Sequence, residues 1–263
     1  MAAPARAAAL SAFVLHRYEW SESSLILDLF TRERGRIAVA AKGARRPYSQ
    51  LRPILLPFQR VSVTLGKAPA DPDAEIFTLR QAEWGGGVPA VSGGALFAGF
   101  HLNELLMRLL ARQDPHPTLF DAYAATLPAL AGGEDARAQA ALRAFELLLL
   151  RETGVLPDLT QLTLTLQPLT DGEAYQLRPD SGLVRVTAGD DGPDLAAPTL
   201  RALEVALSAG DLGALQKACL DALPPLRSCL RALLHYHAGA ALRTRQVLLG
   251  VQRLLETLPS PTR

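Results

Sequence analysis

The chain has 263 residues, with 27 lysines and arginines against 26 aspartates and glutamates, 49% apolar residues and only 20% charged ones. This excludes disorder over the whole length, and at roughly 100–200 residues per domain it allows one large or two ordinary domains. No run of about 18 purely apolar residues occurs, because Arg227, Arg231, Arg243 and Arg245 break even the Leu-rich C-terminal stretch, so no membrane contact is expected.

The opening MAAPARAAALSAF holds Arg6 and Pro4 but no apolar stretch of signal-peptide length, and is expected to fray. Cys219 and Cys229 are too few for a disulfide framework or a four-thiolate zinc site; a reducing cytoplasm fits them best. The net charge of +1 conceals an asymmetry. Residues 1–82 carry 12 basic and 7 acidic residues, a balance of +5, and the remainder stands at −4. Between 32 and 67 nine basic residues face Glu33 alone, which points to a polyanionic partner.

From Ser11 to Gln81 the apolar period is close to 2, which predicts strands over Phe13–Tyr18, Ser24–Phe30, Arg36–Ala41, Arg60–Leu65 and Glu75–Leu79. Thr31-Arg32-Glu33-Arg34-Gly35 reads as a hairpin link with a left-handed residue. Pro47, Pro53 and Pro57 exclude a central strand from the loop between Gly43 and Pro57. Five antiparallel strands in so short a span cannot cover themselves as a flat sheet, so an OB-type barrel is expected over residues 1–83.

Gly85-Gly86-Gly87 and Gly93-Gly94 mark a linker over 84–95, after which the period changes to 3.6. Helices are expected over Leu96–Ala111, Thr118–Leu130 and Asp135–Glu152, the last closed by Gly154 and central because Leu147–Leu150 is apolar on all sides. Between about 160 and 187 the alternation of Leu162, Leu164 and Leu166 with Thr, and then Gly182–Val186, predicts a small strand excursion. Helices resume over Pro198–Ala209, Leu212–Leu223 and Pro225 to about Leu258, the last with a break near Gly239 or Gly250 as the alternative. The fold class is thus α+β with two domains, the barrel followed by an all-α helical domain over 96–263 that holds the insertion.

No phosphate loop, dinucleotide fingerprint or nucleophile elbow occurs, so neither enzyme chemistry nor a cofactor is expected. His101 and Glu104 lack zinc-hydrolase spacing, and His235 and His237 stand about 200° apart on a helix. Asp190 and Asp191 read as a solvated loop. The positive signal is the set Arg32, Arg34, Arg36, Lys42, Arg45, Arg46, Arg52, Arg60 and Lys67. A groove that tracks a single strand needs such cations together with rings on which bases stack, and Tyr48, Phe58 and Tyr18 are candidates. The alternative is that the arginines solvate a surface and Phe58 fills the core. Reversal of Arg34, Arg36 and Arg45 is the corresponding test.

The stretch AFVLHRYEWSESSLILDLFTRERGRIAVAAKGARR, residues 12–46, resembles the RecO family of recombination mediators in its order of Phe13-Val14-Leu15, Trp20-Ser21-Glu22, Leu27-Asp28-Leu29-Phe30-Thr31, Gly35-Arg36 and Ala41-Lys42-Gly43-Ala44-Arg45. Weaker echoes follow at Asn103-Glu104-Leu105-Leu106 and Leu142-Arg143-Ala144-Phe145-Glu146-Leu147. The resemblance implies an OB-fold domain that binds single- and double-stranded DNA without sequence preference and anneals complementary strands. It also implies work with RecR to help RecA load onto DNA coated by single-strand-binding protein, in the cytoplasm and at the nucleoid during repair. It further implies that the helical domain docks the acidic, Phe-ended tail of single-strand-binding protein, with Arg143 near that tail and Phe97, Leu105 and Leu109 supplying a pocket. The other reading is that Arg143 solvates its helix and the Leu face is all core. Many members carry a four-Cys zinc site after the third helix; residues 154–186 here contain no Cys, so the chain resembles the zinc-free, proteobacterial-like type and no metal is expected. A protein-only scaffold and an RNA-binding OB fold are the rival functions.

Overall fold

The computed structural model describes residues 8–66, 75–86, 93–132, 135–239, 241–244 and 246–247. Five strands come first: β1 (Leu10–Glu19), β2 (Leu25–Thr31), β3 (Gly35–Ala41), β4 (Arg60–Leu65) and β5 (Ile76–Trp84). They close into a barrel in the order β1-β2-β3-β5-β4, with β4 returning to β1 and β3 lying parallel to β5. This is the OB-type order, and closure removes every unpaired strand edge. Val14, Leu27, Leu29, Ile37, Val39, Val61 and Val63 fill its interior as the period of 2 requires.

The β2–β3 link turns as its residues dictate. Thr31 Oγ1 accepts from the Arg34 amide and donates to the Gly35 carbonyl, and Gly35 has φ +63°. A Cβ at Gly35 would also lie 1.8 Å from the Asp114 carbonyl oxygen, so conformation and close approach both demand glycine.

Both faces of β1 and β2 are buried. Outer-face Phe13 and Phe30 are register partners, and they pack on Phe120 and Tyr123 with ring centroids 5.0–6.3 Å apart. Phe120 and Tyr123 belong to helix α2 (Pro117–Ala131), which follows α1 (Gly93–Leu109). The compact units are accordingly Met1–Ala90 with Leu110–Pro128, and Val91–Leu109 with Ala129–Arg263. The segment Leu110–Pro128 groups with the barrel, where the sequence boundaries put it in the helical domain. Half of the proposed linker, residues 87–92, lies outside the described residues.

In the second unit α3 (Asp135–Glu152) is buried continuously from Ala140 to Leu150, the Arg143–Glu146 pair included, with Leu147–Leu150 apolar on all sides. Around it stand α1 and, further along the chain, α5 (Leu212–Leu220) and α6 (Leu223–His237), preceded by α4 (Ala197–Ala209). Gly210, left-handed at φ +65°, stops α4, and the Asp211 carboxylate accepts from the Ala214 amide to start α5. The helix expected to run on to about Leu258 instead ends at His237, with Gly239 left-handed at φ +70°; Arg245, and residues beyond Val247 including Arg253, lie outside the described residues.

A strand stands at Gly182–Arg185 as expected, but the first part of the excursion differs. Leu162–Leu166 is a turn, not a strand: the Leu166 amide donates to the Leu162 carbonyl, Leu166 sits at φ +56°, and Leu164 and Leu166 are exposed. The sheet is instead β7-β6-β8, built from β6 (Ala174–Arg178), β7 (Gly182–Arg185) and β8 (Leu195–Ala196). Alternation alone misled because the threonines between the leucines serve the turn. Thr163 Oγ1 accepts the Leu183 amide and so ties the turn to β7.

Candidate nucleic-acid interface

The segment between β3 and β4 is a chain of short turns, closed by amide–carbonyl bonds from Arg46 to Gly43, Ser49 to Arg46, Arg52 to Ser49 and Leu55 to Leu51. Its apolar members determine its orientation. Ala44 and Leu55 are fully buried, and Leu51 and Ile54 pack against the barrel core, so this segment covers an opening of the barrel. The residues between them face water: Arg46 and Arg52 are exposed, as is Lys42, and Tyr48 is 95% exposed. Lys42, Arg46 and Arg52 enter no ion pair among the described residues. Their hydration is the only thing a phosphate would have to displace.

Other members of the cationic set are committed inside the unit. Arg36 is enclosed: its Nη1 donates to the Leu110 carbonyl at 3.2 Å and its Nε lies 3.4 Å from Asp28 Oδ1, while Arg112 stands 3.5 Å from Asp28 Oδ2. Burial pushes the Asp28 carboxyl up, against the pull of Arg36, Arg112 and His16. Arg36 is therefore a structural cation, and reversing it would test the core as much as any groove. Arg45 donates to the Ser21 carbonyl at 2.8 Å and pairs with Glu19 at 3.2 Å.

Arg32 makes a two-pronged bond to Asp121 at 3.0 and 2.9 Å, in solvent. That bond holds the Asp121 carboxyl below the usual carboxylate range. Arg34 stands 5.9 Å from the Phe77 ring centroid, and Arg60 stands 6.0 Å from that of Phe120 while donating to Ser11 Oγ. Lys67 lies outside the described residues.

Of the rings expected to stack, Phe58 is corrected. It is 7% exposed, at φ +69°, and its amide donates to the Val14 carbonyl, so it packs in the barrel wall and is not offered to bases. Tyr18 is half-exposed, edge-on to His16. Sequence reasoning missed Trp20 and Trp84, both more than half exposed. A legible sign existed for Trp20: an indole flanked by Glu19 and by Ser21-Glu22 has no apolar neighbour to bury it.

In the helical unit Phe97, His101, Leu105 and Leu109 form one i, i+4 stripe on α1. Leu105 is corrected: at 0% exposure it is core, while Phe97, His101 and Leu109 of the same stripe are partly exposed. His101 Nε2 lies 2.9 Å from Glu146 Oε1, and Arg143 Nη1 lies 2.7 Å from Glu146 Oε2. Arg143 is corrected as well: at 8% exposure its side chain is enclosed and committed to Glu146. Cys219 and Cys229 are free and buried, and burial pushes both thiols up to about 12. Among the described residues no three His, Cys, Asp or Glu side chains converge as a metal site, and no helix is long and apolar enough to cross a membrane.

A closed five-stranded barrel of this order, with a cationic turn segment over one opening and a helical unit attached, defines a protein of the OB-fold class. Residues 7–86 match the family described as Recombination protein O N terminal, and residues 92–246 match Recombination protein O C terminal. A DNA repair protein RecO of Polaromonas sp. strain JS666 is 51% identical over 245 residues, covering 92% of this chain and 96% of the relative. Its counterpart in Variovorax paradoxus is 48% identical over 276 residues, covering 97% and 100%. That of Delftia acidovorans is 46% identical over 260 residues. The chain belongs to the RecO family of DNA repair proteins.

Proposed function

We propose that the protein is a recombination mediator that binds single- and double-stranded DNA by the backbone, anneals complementary strands and, with RecR, helps RecA load onto DNA coated by single-strand-binding protein. The observation that carries this reading is the row of exposed cations, Lys42, Arg46 and Arg52, held outward with Tyr48 by a segment whose leucines are anchored in the barrel core. A strand held through its phosphates keeps its base edges available to a complement, and partial neutralisation lowers repulsion between two strands. No covalent chemistry is required. Loose, salt-sensitive contacts let the duplex leave.

The helical residues from 96 onward supply the second contact in this reading. The Phe-ended acidic tail of single-strand-binding protein would lie near Phe97, with Leu109 at the far end of the stripe; Arg143, buried against Glu146, is a structural part of the unit rather than a contact. Two weak contacts, one to DNA and one to the protein coating it, act together through effective concentration.

The test is annealing of complementary oligonucleotides coated with single-strand-binding protein. The expected result is acceleration by this chain that weakens when the coating protein lacks its acidic tail. Absence of acceleration contradicts the mediator reading. Acceleration indifferent to DNA-contact variants would favour the protein-only scaffold, and tighter binding to a matched RNA would favour the RNA-binding rival.

A further inference from the structure

One cleft on the barrel unit combines an exposed indole with two cations. It is a shallow, open cleft lined by Trp20, Ser21, Ser23, Lys42, Gly43 and Arg46, with room for about 400 Å³, within the roughly 300–1,000 Å³ typical of small-ligand sites. Its two walls are the β1–β2 turn and the start of the β3–β4 segment. They are fastened to each other by the Arg45 amide, which donates to the Ser23 carbonyl at 3.0 Å, and by the Arg45 guanidinium, which donates to the Ser21 carbonyl at 2.8 Å. The Trp20 and Ser21 amides both donate to the Ser24 carbonyl and so hold the first turn in shape. Gly43, left-handed at φ +74°, lets the second wall fold back: a Cβ there would lie 3.6 Å from Arg46 Nε, which places the Arg46 side chain over Gly43 beside the cleft.

We propose that this cleft is a single-nucleotide subsite, in which an unpaired base stacks on Trp20 while its phosphate meets Lys42 and Arg46, and that it biases binding toward single strands over duplex. The inference rests on the DNA-binding reading above. Trp20 is 58% exposed, a large ring left in water at the rim of a cationic cleft, and every base offers a π-face to such a ring regardless of sequence. A paired base inside a duplex offers none without unstacking. The cations serve both kinds of DNA, so selectivity falls to the indole.

The chain has two tryptophans, and Trp84 does not line the cleft, so Trp84→Phe leaves Trp20 as the sole reporter in the full-length protein. Its fluorescence is followed during titration with a thymidine 20-mer, the same length of duplex, and an abasic deoxyribose-phosphate oligomer, with anisotropy reporting binding in parallel. Quenching by the 20-mer alone is expected. Trp20→Ala should weaken the 20-mer by about 5- to 150-fold, the range of one base–aromatic stack, and leave duplex and abasic affinities unchanged, while Trp20→Phe retains most of the affinity. Unchanged Trp20 fluorescence at saturation, or equal loss for 20-mer and abasic oligomer, overturns the subsite while leaving DNA binding intact. Failure of the unsubstituted protein to bind any of the three by anisotropy overturns the DNA-binding reading itself.

Discussion

The two compact units use arginine in opposite ways. In the barrel unit the turn segment after β3 holds Lys42, Arg46 and Arg52 outward, where water is their partner. In the helical unit Arg143 and His101 converge on Glu146, which is 1% exposed at its side chain, and Arg151 meets Glu204 at 2.6 Å while the same carboxylate accepts the Leu159 amide. A buried guanidinium is tolerable only with a carboxylate and hydrogen bonds around it, and once so placed it is a structural part. An exposed one keeps its hydration and exchanges it readily for phosphate. Segment charge does not distinguish the two; the neighbours do.

The sharpest separation should come from Glu146→Ala. It strands Arg143 in the helical interior and is expected to cost about 3–5 kcal/mol in urea unfolding, whereas Arg46→Ala should stay within about 0.5 kcal/mol. Equal costs would erase the contrast. Arg36→Ala probes the exception on the barrel, a cation placed like those of the helical unit. Its loss leaves Asp28 with Arg112 as its one remaining arginine and should cost about 3 kcal/mol, with DNA affinity changing only as far as folding does.

A third prediction concerns pH. Glu104 accepts the Arg243 and Thr244 amides and the Thr244 hydroxyl at 2.7–2.9 Å. Burial raises its pKa, but those bonds and Arg108 outweigh burial, and the carboxyl titrates below its ordinary value of 4.5. A depressed folded pKa means that this contact's stability is present above 4.5 and lost as pH falls through the folded value. Hydrogen exchange at Arg243 and Thr244 should therefore accelerate in acid ahead of that in α3, and Glu104→Gln should show the accelerated exchange already at neutral pH. The smallest effect is expected from Asp121→Asn, which releases Arg32 to compete for phosphate. The log–log salt dependence of single-strand binding should steepen by about 0.7, one added contact.

The barrel was legible in the sequence because period-2 alternation and the Gly35 turn act locally. Strand order and closure then follow from having no face left to cover. The role of α2 was not legible. Phe13 and Phe30 announce a second buried face on β1 and β2, but only the fold shows that Phe120 and Tyr123, some 90 residues on, provide the cover. The site was legible as charge and not as geometry. Nothing in the spacing of Arg34, Arg36 and Arg45 tells that the middle one turns in to Asp28. Phe58 and Leu105 look from sequence like available rings and leucines, and become core only through contacts made far along the chain. Trp20 went unnoticed because a tryptophan at a strand end is ordinarily assumed to pack.

Anisotropy of a labelled single-stranded oligonucleotide, titrated between 50 and 200 mM salt, tests the central claim most directly. The unsubstituted protein is compared with a variant carrying Lys42→Glu, Arg46→Glu and Arg52→Glu. About six phosphate contacts give a log–log slope near −4 and a roughly 300-fold loss of affinity across that range, and removing three should bring the slope to about −2. A slope that is the same in both proteins, or flat in both, would contradict a DNA groove on the barrel.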